Sequence, residues 1–263
     1  MKVKLLSCTP NALELLLGTK STRMRGADPA TMTEAEKMDH WRYMLDTIKS
    51  PFEFVDYIFQ IEEVSKNFTH QLVRTRTGAY QQETSRALDM SGSGVIMPEN
   101  FEGDDELSRL FHDAVADARC SYEKLVEAGA QLQDARAVIP SNMETKITAK
   151  FNLRTLSDMG KNRLCARTQG EFQDAFRAMR ALVLEQHPWA DPLLQPACVA
   201  TGQCAFPRWG GAKVETRPGF VEYQCKFYRR WMDLEAQKEE LRQVFWSSSK
   251  EQANPVANNG KSM

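Results

Sequence analysis

Gln71-Leu72-Val73-Arg74-Thr75-Arg76-Thr77-Gly78-Ala79-Tyr80-Gln81-Gln82-Glu83-Thr84-Ser85-Arg86 is the stretch on which the reading of this 263-residue chain turns. Three arginines, Arg74, Arg76 and Arg86, fall within thirteen positions, set among threonines, a serine and glutamines. The tract has neither the 3.6-residue period of an amphipathic helix nor the alternation of a half-buried strand. Arginine's planar fork matches two oxygens of a phosphate or carboxylate. Thr84 and Ser85 add hydroxyls beside Arg86, and Arg136, Arg154 and Arg163 stand further on among small polar residues. Such a set suits a nucleotide phosphate. It equally suits a solvated charged surface with incidental ion pairs, and composition does not choose between the two.

The remaining chemistry is narrowed by exclusion. The 34 Lys+Arg and 35 Asp+Glu give a net charge of −1. That balance argues against bulk binding to nucleic acid or membrane, which needs a basic excess. No stretch approaches the ~18 consecutive apolar residues of a membrane span. The run Leu13–Leu17 is broken by Glu14 and too short for a signal-peptide core, so the expected compartment is cytoplasmic. The six cysteines are scattered, with no Cys-x-x-Cys, and read as reduced thiols with no metal site. Neither a Walker-type loop nor Gly-x-Gly-x-x-Gly occurs, and Ser91-Gly92-Ser93-Gly94 reads as a flexible connection.

Working outward from the tract, Ser65–Val73 reads as a short helix and Phe52–Val64, rich in aromatic and β-branched residues, as a strand. Val3–Ser7 is a strand and Ala12–Leu17 a helix, followed by a loop over Gly18–Ala30. Thr33 caps a second helix with Glu36 three residues on. Met38, Trp41, Leu45 and Ile48 are its expected apolar face. Glu106–Ala128 is a long amphipathic helix stopped by Gly129, and Asp134–Ile139 a helical turn ended by Pro140. Thr145–Phe151 is a strand, and Leu153–Met159 and Gly170–Glu185 are helices. His187–Gly219 is mostly loop, Phe220–Trp246 helical, and the tail from Ser247 polar and disordered.

The central tract resembles the signature of the flavin-dependent thymidylate synthase (ThyX) family: Arg-His-Arg, seven residues, Ser, one residue, Arg. Arg74 and Arg76 match the first two arginines, Thr75 replaces the histidine, Thr84 stands at the serine and Arg86 at the last arginine. Other stretches agree in order. Val3–Asn11 resembles the family's first strand and turn, and Ser50-Pro51-Phe52-Glu53 its small-Pro-Phe-Glu segment. Ala135–Pro140 resembles Ala-Arg-x-x-Leu-Pro, Asn152-Leu153-Arg154 its Asn-Ala-Arg, Asn162-Arg163 its Leu-Arg, and Thr168–Glu171 the start of its last helix. The resemblance covers roughly residues 1–187.

The resemblance implies an α+β fold, a small mixed sheet flanked by helices, assembled as a homotetramer with active sites between subunits. It implies a catalytic domain over 1–187, an extension over 188–246 and a loose tail over 247–263. It further implies reductive methylation of dUMP to dTMP, with FAD as cofactor, NADPH as reductant and methylenetetrahydrofolate as carbon donor, giving tetrahydrofolate. Gln71, Arg74, Thr84, Ser85, Arg86 and Arg136 match positions that hold dUMP. Arg163 matches the arginine that meets the uracil face and favours ionisation at N3. Ser50, Arg74, Thr75, Arg76, Gln82, Asn152, Arg154 and Asp158 match flavin contacts, and Glu53 an acid near the flavin. Departures from the pattern cluster at flavin-facing positions: Thr75 for His, Gln82 for Glu, Asp158 for Asn, Phe54 for His, Ala87 for Tyr. Methylation or hydroxymethylation of dCMP, and a nucleotide-binding paralogue without turnover, are the alternatives.

Overall fold

The computed structural model describes residues 1–86, 89, 91–218 and 220–225. The chain divides into two units, residues 1–200 and 201–263.

The first unit is built on four strands: β1 (Lys2–Cys8), β2 (Asp56–Ser65), β3 (Ala79–Gln82) and β4 (Glu144–Asn152). They lie in the order β1-β2-β4-β3. Every pairing is antiparallel, so the sheet is not the mixed one expected. β2 and β3 do run the same way, but β4 is inserted between them and opposes both, so no parallel ladder forms. Tyr57 faces Phe151, Phe59 faces Ala149 and Ile61 faces Ile147 across β2 and β4, and all six are buried. This alternation assigns one sheet face to the core.

Among the described residues, eight α-helices lie wholly within this unit. They are α1 (Ala12–Gly18), α2 (Ser21–Met24), α3 (Glu34–Leu45), α4 (Lys66–Leu72), α5 (Asp105–Glu127), α6 (Leu132–Ala135), α7 (Leu153–Arg163) and α8 (Gly170–Gln186). α8 packs its Phe172, Ala175, Phe176, Met179 and Val183 into the core. α5 stands apart from that core. Only Val115 and Tyr122 of its 23 residues are buried, and Tyr122 belongs to a small separate cluster with Ala135 and Met143.

Three boundaries differ from the sequence reading. Phe52–Phe54 is not strand: Ser50–Phe54 forms a 3-10 turn, because Pro51 fixes φ near −65° and withholds an N–H from any ladder. β2 begins at Asp56, where Thr9 Oγ1 accepts from the Asp56 amide at 2.8 Å. α3 carries the expected capping box between Thr33 and Glu36, but it ends at Leu45. Ile48 is therefore outside the helix and 75% exposed, and Trp41 and Met44 carry the buried face. The loop expected over Gly18–Ala30 contains the helical turn α2.

A helix α9 (Ala197–Thr201) spans the division between the units. The second unit holds α10 (Pro207–Gly210) and an antiparallel ribbon of β5 (Lys213–Arg217) and β6 (Phe220–Tyr223). The helix expected to start at Phe220 is thus strand over its first four residues. Val214 and Glu215 face Glu222 and Val221 in the ribbon, and cross-strand pairing overrides a helical spacing that is weak there. Residues 226–246 of that expected helix, and the tail from Ser247, lie outside the described residues.

Candidate functional site

The arginine tract folds as a tight connection from α4 to β3. The Thr75 amide donates to the Leu72 carbonyl at 3.0 Å, and the Gly78 amide to the Thr75 carbonyl at 3.0 Å. Tyr80 returns from β3 to brace this turn, its hydroxyl within 2.6 Å of the Thr75 carbonyl and 3.0 Å of that of Leu72. Its ring packs edge-on against Phe151, and burial pushes its pKa up to about 12. Gly78 is obligatory: a Cβ there would lie 2.5 Å from the Tyr80 hydroxyl and 2.6 Å from Phe151. The turn leaves Arg74 and Arg76 exposed, with no carboxylate partner among the described residues.

This turn is tied to the residues expected to share its ligand. Thr155 Oγ1 donates to Thr77 Oγ1 at 2.9 Å, joining the tract to the first turn of α7. Asn152 caps that helix, its Oδ1 accepting from the Thr155 amide at 2.8 Å. Arg154 Nη1 reaches Glu53 Oε1 at 2.5 Å, which brings in the 3-10 turn that Ser50 opens. Asp158 pairs with Lys161 at 2.7 Å, so the carboxylate is locally compensated. Gln82 turns inward and donates Nε2 to Thr69 Oγ1 at 2.9 Å. Phe54, 61% exposed, stands free beside Glu53.

A second group gathers at the end of β3. Arg136 Nη1 donates to Ser85 Oγ at 3.1 Å, and Arg136 Nε to the Gln133 carbonyl at 3.0 Å. Arg86 Nε donates to Gln133 Oε1 at 2.9 Å, and the Thr84 hydroxyl accepts from the Arg86 amide at 3.1 Å. Two guanidinium groups therefore converge on one glutamine with no carboxylate beside either among the described residues. Uncompensated cations held together in this way favour an anionic ligand.

Arg163 forms a third group. It closes α7, half-buried, with its guanidinium carbon 4.1 Å from the centre of the Phe172 ring. Burial pulls its pKa below the ordinary arginine value. Phe172 in turn meets Phe68 of α4 edge-on, and Gln71 of α4 donates to Gln169 Oε1 at 2.6 Å. Glu171, between those two residues, accepts from both the amide and the hydroxyl of Ser65 at 2.6 Å. Gln71 and Arg163 are thus held near one another through the start of α8.

The structure brings these residues into three groups rather than one. No hydrogen bond links Arg163 to the Ser85–Arg136 group among the described residues. A cleft of about 410 Å³ lies elsewhere, lined by Glu62, Glu63, Glu83, Glu144, Ser93, Gly94, Thr145 and Lys146. Four carboxylates repel a phosphate, and none of the expected site residues lines it. Gly78, Tyr80, Gln133, Gln169 and Phe172 support the site, yet sequence reasoning passed over them. Gly78 and Tyr80 stood inside the tract, where a glycine two residues before an aromatic was the available signal. Gln169 stood in the Thr168–Glu171 stretch already matched to the family's last helix, whereas Gln133 had no signal.

The family model for thymidylate synthase complementing protein matches residues 4–189. Among curated relatives, a flavin-dependent thymidylate synthase of Clostridium tetani is 29% identical over 225 residues, 78% of this chain and 90% of the relative. The protein of that name from Saccharolobus solfataricus is 31% identical over 236 residues, 86% of this chain and 88% of the relative. That from Pyrococcus horikoshii is 30% identical over 221 residues, covering 78% and 89%. Arginines that lie beside an antiparallel sheet without carboxylate partners among the described residues suit an anionic ligand. The chain belongs to the thymidylate synthase complementing protein family.

Proposed function

We propose that this chain is a flavin-dependent thymidylate synthase that converts dUMP to dTMP with methylenetetrahydrofolate as carbon donor, releasing tetrahydrofolate. The observation that carries the reading is the convergence of Arg86 and Arg136 on Gln133, beside the Ser85 hydroxyl and without a carboxylate partner among the described residues. That donor set suits the phosphate of a nucleoside monophosphate. Thr84 stands within that group, and Arg74 and Gln71, held in the other two groups, would complete the nucleotide contacts when the groups are brought together in the assembly.

A bound FAD would supply the hydride chemistry that completes the methyl group, with NADPH as its reductant. Residues present fit such a group. Arg74 and Arg76, without carboxylate partners among the described residues, would hold its diphosphate, with Asn152, Arg154, Ser50 and Thr75 as further donors; Gln82, bonded inward to Thr69, would have to turn outward to join them. Lys161 compensates Asp158 at 2.7 Å, so its charge does not oppose an anionic cofactor. Glu53 orients Arg154 through their ion pair.

The role of Arg163 follows from its surroundings. A half-buried cation seated on an aromatic face, with no carboxylate to neutralise it among the described residues, stabilises an anion brought against it. Placed beside the pyrimidine, it favours loss of the N3 proton of uracil and so loads electron density onto C5, the carbon that accepts the methylene. Cytosine has no N3 proton to lose, so the same residue favours dUMP over dCMP.

Complete sites form between subunits of a homotetramer in this reading. It is supported by the three separate groups within one chain and by Leu107, Leu110 and Leu125, exposed on α5. Residues 1–187 act as the catalytic domain and 188–246 as an extension, in the cytoplasm. Incubation of the FAD-loaded protein with methylenetetrahydrofolate, NADPH and an equimolar mixture of dUMP and dCMP tests the assignment by product mass. Methylated uracil nucleotide supports it. Methylated or hydroxymethylated cytosine nucleotide alone replaces it with the dCMP reading.

A further inference from the structure

Lys66 opens α4 at a position that nothing above assigns. Its amide donates to the Met143 carbonyl at 3.0 Å, the Asn67 amide donates to the Ser141 carbonyl at 2.9 Å, and Asn67 Nδ2 reaches Asn142 Oδ1 at 2.8 Å. The first turn of α4 is therefore pinned to the segment that follows Arg136. One turn further along, Thr69 accepts from Gln82, and the chain runs on from Gln82 to Ser85. Lys66 thus lies where the segments carrying Ser85 and Arg136 meet α4, and those two residues are themselves bonded at 3.1 Å.

The Lys66 ammonium is half-buried, with neither an acceptor nor an ion-pair partner among the described residues. Burial and the positive charge of Arg136 hold its pKa down, and only Glu83 opposes them. Glu83 is itself engaged by Lys146 at 3.6 Å. A partly desolvated ammonium within the electrostatic reach of a second cation is unfavourable, and an anion shared by the two relieves it.

We propose that Lys66 is a third cation of the nucleotide-phosphate site, acting with Arg86 and Arg136 to select a nucleoside monophosphate over the unphosphorylated nucleoside. The inference rests on the dUMP reading above and deepens it. A lysine gives a point charge on a flexible stem where the two arginines give fixed forks. It adjusts to the dianionic phosphate without setting its orientation.

The test is calorimetric titration of the FAD-loaded full-length protein with dUMP and with deoxyuridine, for wild type, Lys66→Met and Lys66→Arg. Removing one charge-assisted bond weakens dUMP binding roughly tenfold or more. Lys66→Met shows that loss, with deoxyuridine affinity and melting temperature unchanged. Its dUMP affinity also falls less steeply with salt than that of wild type, and Lys66→Arg recovers most of the binding. Unchanged dUMP affinity in Lys66→Met overturns the inference, as does an equal loss of dUMP and deoxyuridine, which marks a structural role. Wild-type protein that takes up no dUMP overturns the parent reading, and this inference with it, before any variant is compared.

Discussion

The Arg163 guanidinium sits 4.1 Å from the centre of the Phe172 ring, and Phe172 is fully buried. The aromatic face holds the cation in place without neutralising it, as a carboxylate would. Arg163 therefore keeps its full charge for whatever anion forms beside it. Arg163→Ala is expected to lower kcat by about a hundredfold or more, the scale of losing one preorganised electrostatic contact. FAD content, read from the absorbance of the purified protein, stays at the wild-type level. Loss of flavin together with turnover contradicts the role given to this residue.

Gly78 leaves no room for a methyl group. In Gly78→Ala the new Cβ meets the Tyr80 hydroxyl at 2.5 Å and Phe151 at 2.6 Å, so the brace on the Arg74–Arg76 turn must shift. Overpacking of this kind costs about 1–3 kcal/mol. Chemical denaturation measures that loss, and FAD affinity falls with it because both arginines ride on the turn. Tyr80→Phe, which keeps the ring and removes only the hydroxyl, shows a smaller loss of about 1 kcal/mol.

Glu171 satisfies two donors of Ser65 at 2.6 Å each, and Ser65 is 1% exposed. Glu171→Ala strands both in the interior. The expected destabilisation is about 2 kcal/mol, within the range for an unmet buried polar group. It appears as a lower denaturation midpoint. Gln169 and Phe172 flank Glu171, so the same variant is expected to raise KM for the nucleotide as well.

His187 sets part of the acid limit of stability. Its Nδ1 lies 2.8 Å from the Tyr57 hydroxyl, which burial keeps protonated. Burial also holds the His187 pKa below 6.5. Unfolding restores the ordinary value, so below pH 6.5 the unfolded chain binds more protons than the folded one. Stability then rises with pH through that window. No penalty from His187 exists above it, and the penalty grows as pH falls toward the folded value. Melting temperatures measured from pH 7.5 down to about 5 are expected to fall more steeply for wild type than for His187→Gln.

Much of the frame was legible in residue order. The aromatic and β-branched content behind β2, the Thr33–Glu36 capping box and the Gly129 stop all act over a few neighbouring residues, and each gives the element expected. The errors fell where distant contacts decide. Phe52 looked like strand until Pro51 turned it into a buried 3-10 anchor, and Phe220 looked like helix until Lys213–Arg217 paired with it. The antiparallel sheet could not be read from spacing, because β4 enters between β2 and β3 only after the long excursion through α5. At the site, the arginines announced themselves by type and spacing. Their partners did not: Gln133 and Phe172 occupy ordinary helical positions, and only tertiary packing carries them to Arg86 and Arg163.

The most direct test of the central claim is the visible absorbance spectrum of the purified full-length protein, reconstituted with FAD and recorded before and after addition of dUMP. The account predicts an oxidised flavin spectrum that remains with the protein through gel filtration, and a shift of its bands when dUMP enters beside the isoalloxazine ring. Protein that retains no flavin after reconstitution, or a flavin spectrum indifferent to saturating dUMP, contradicts it.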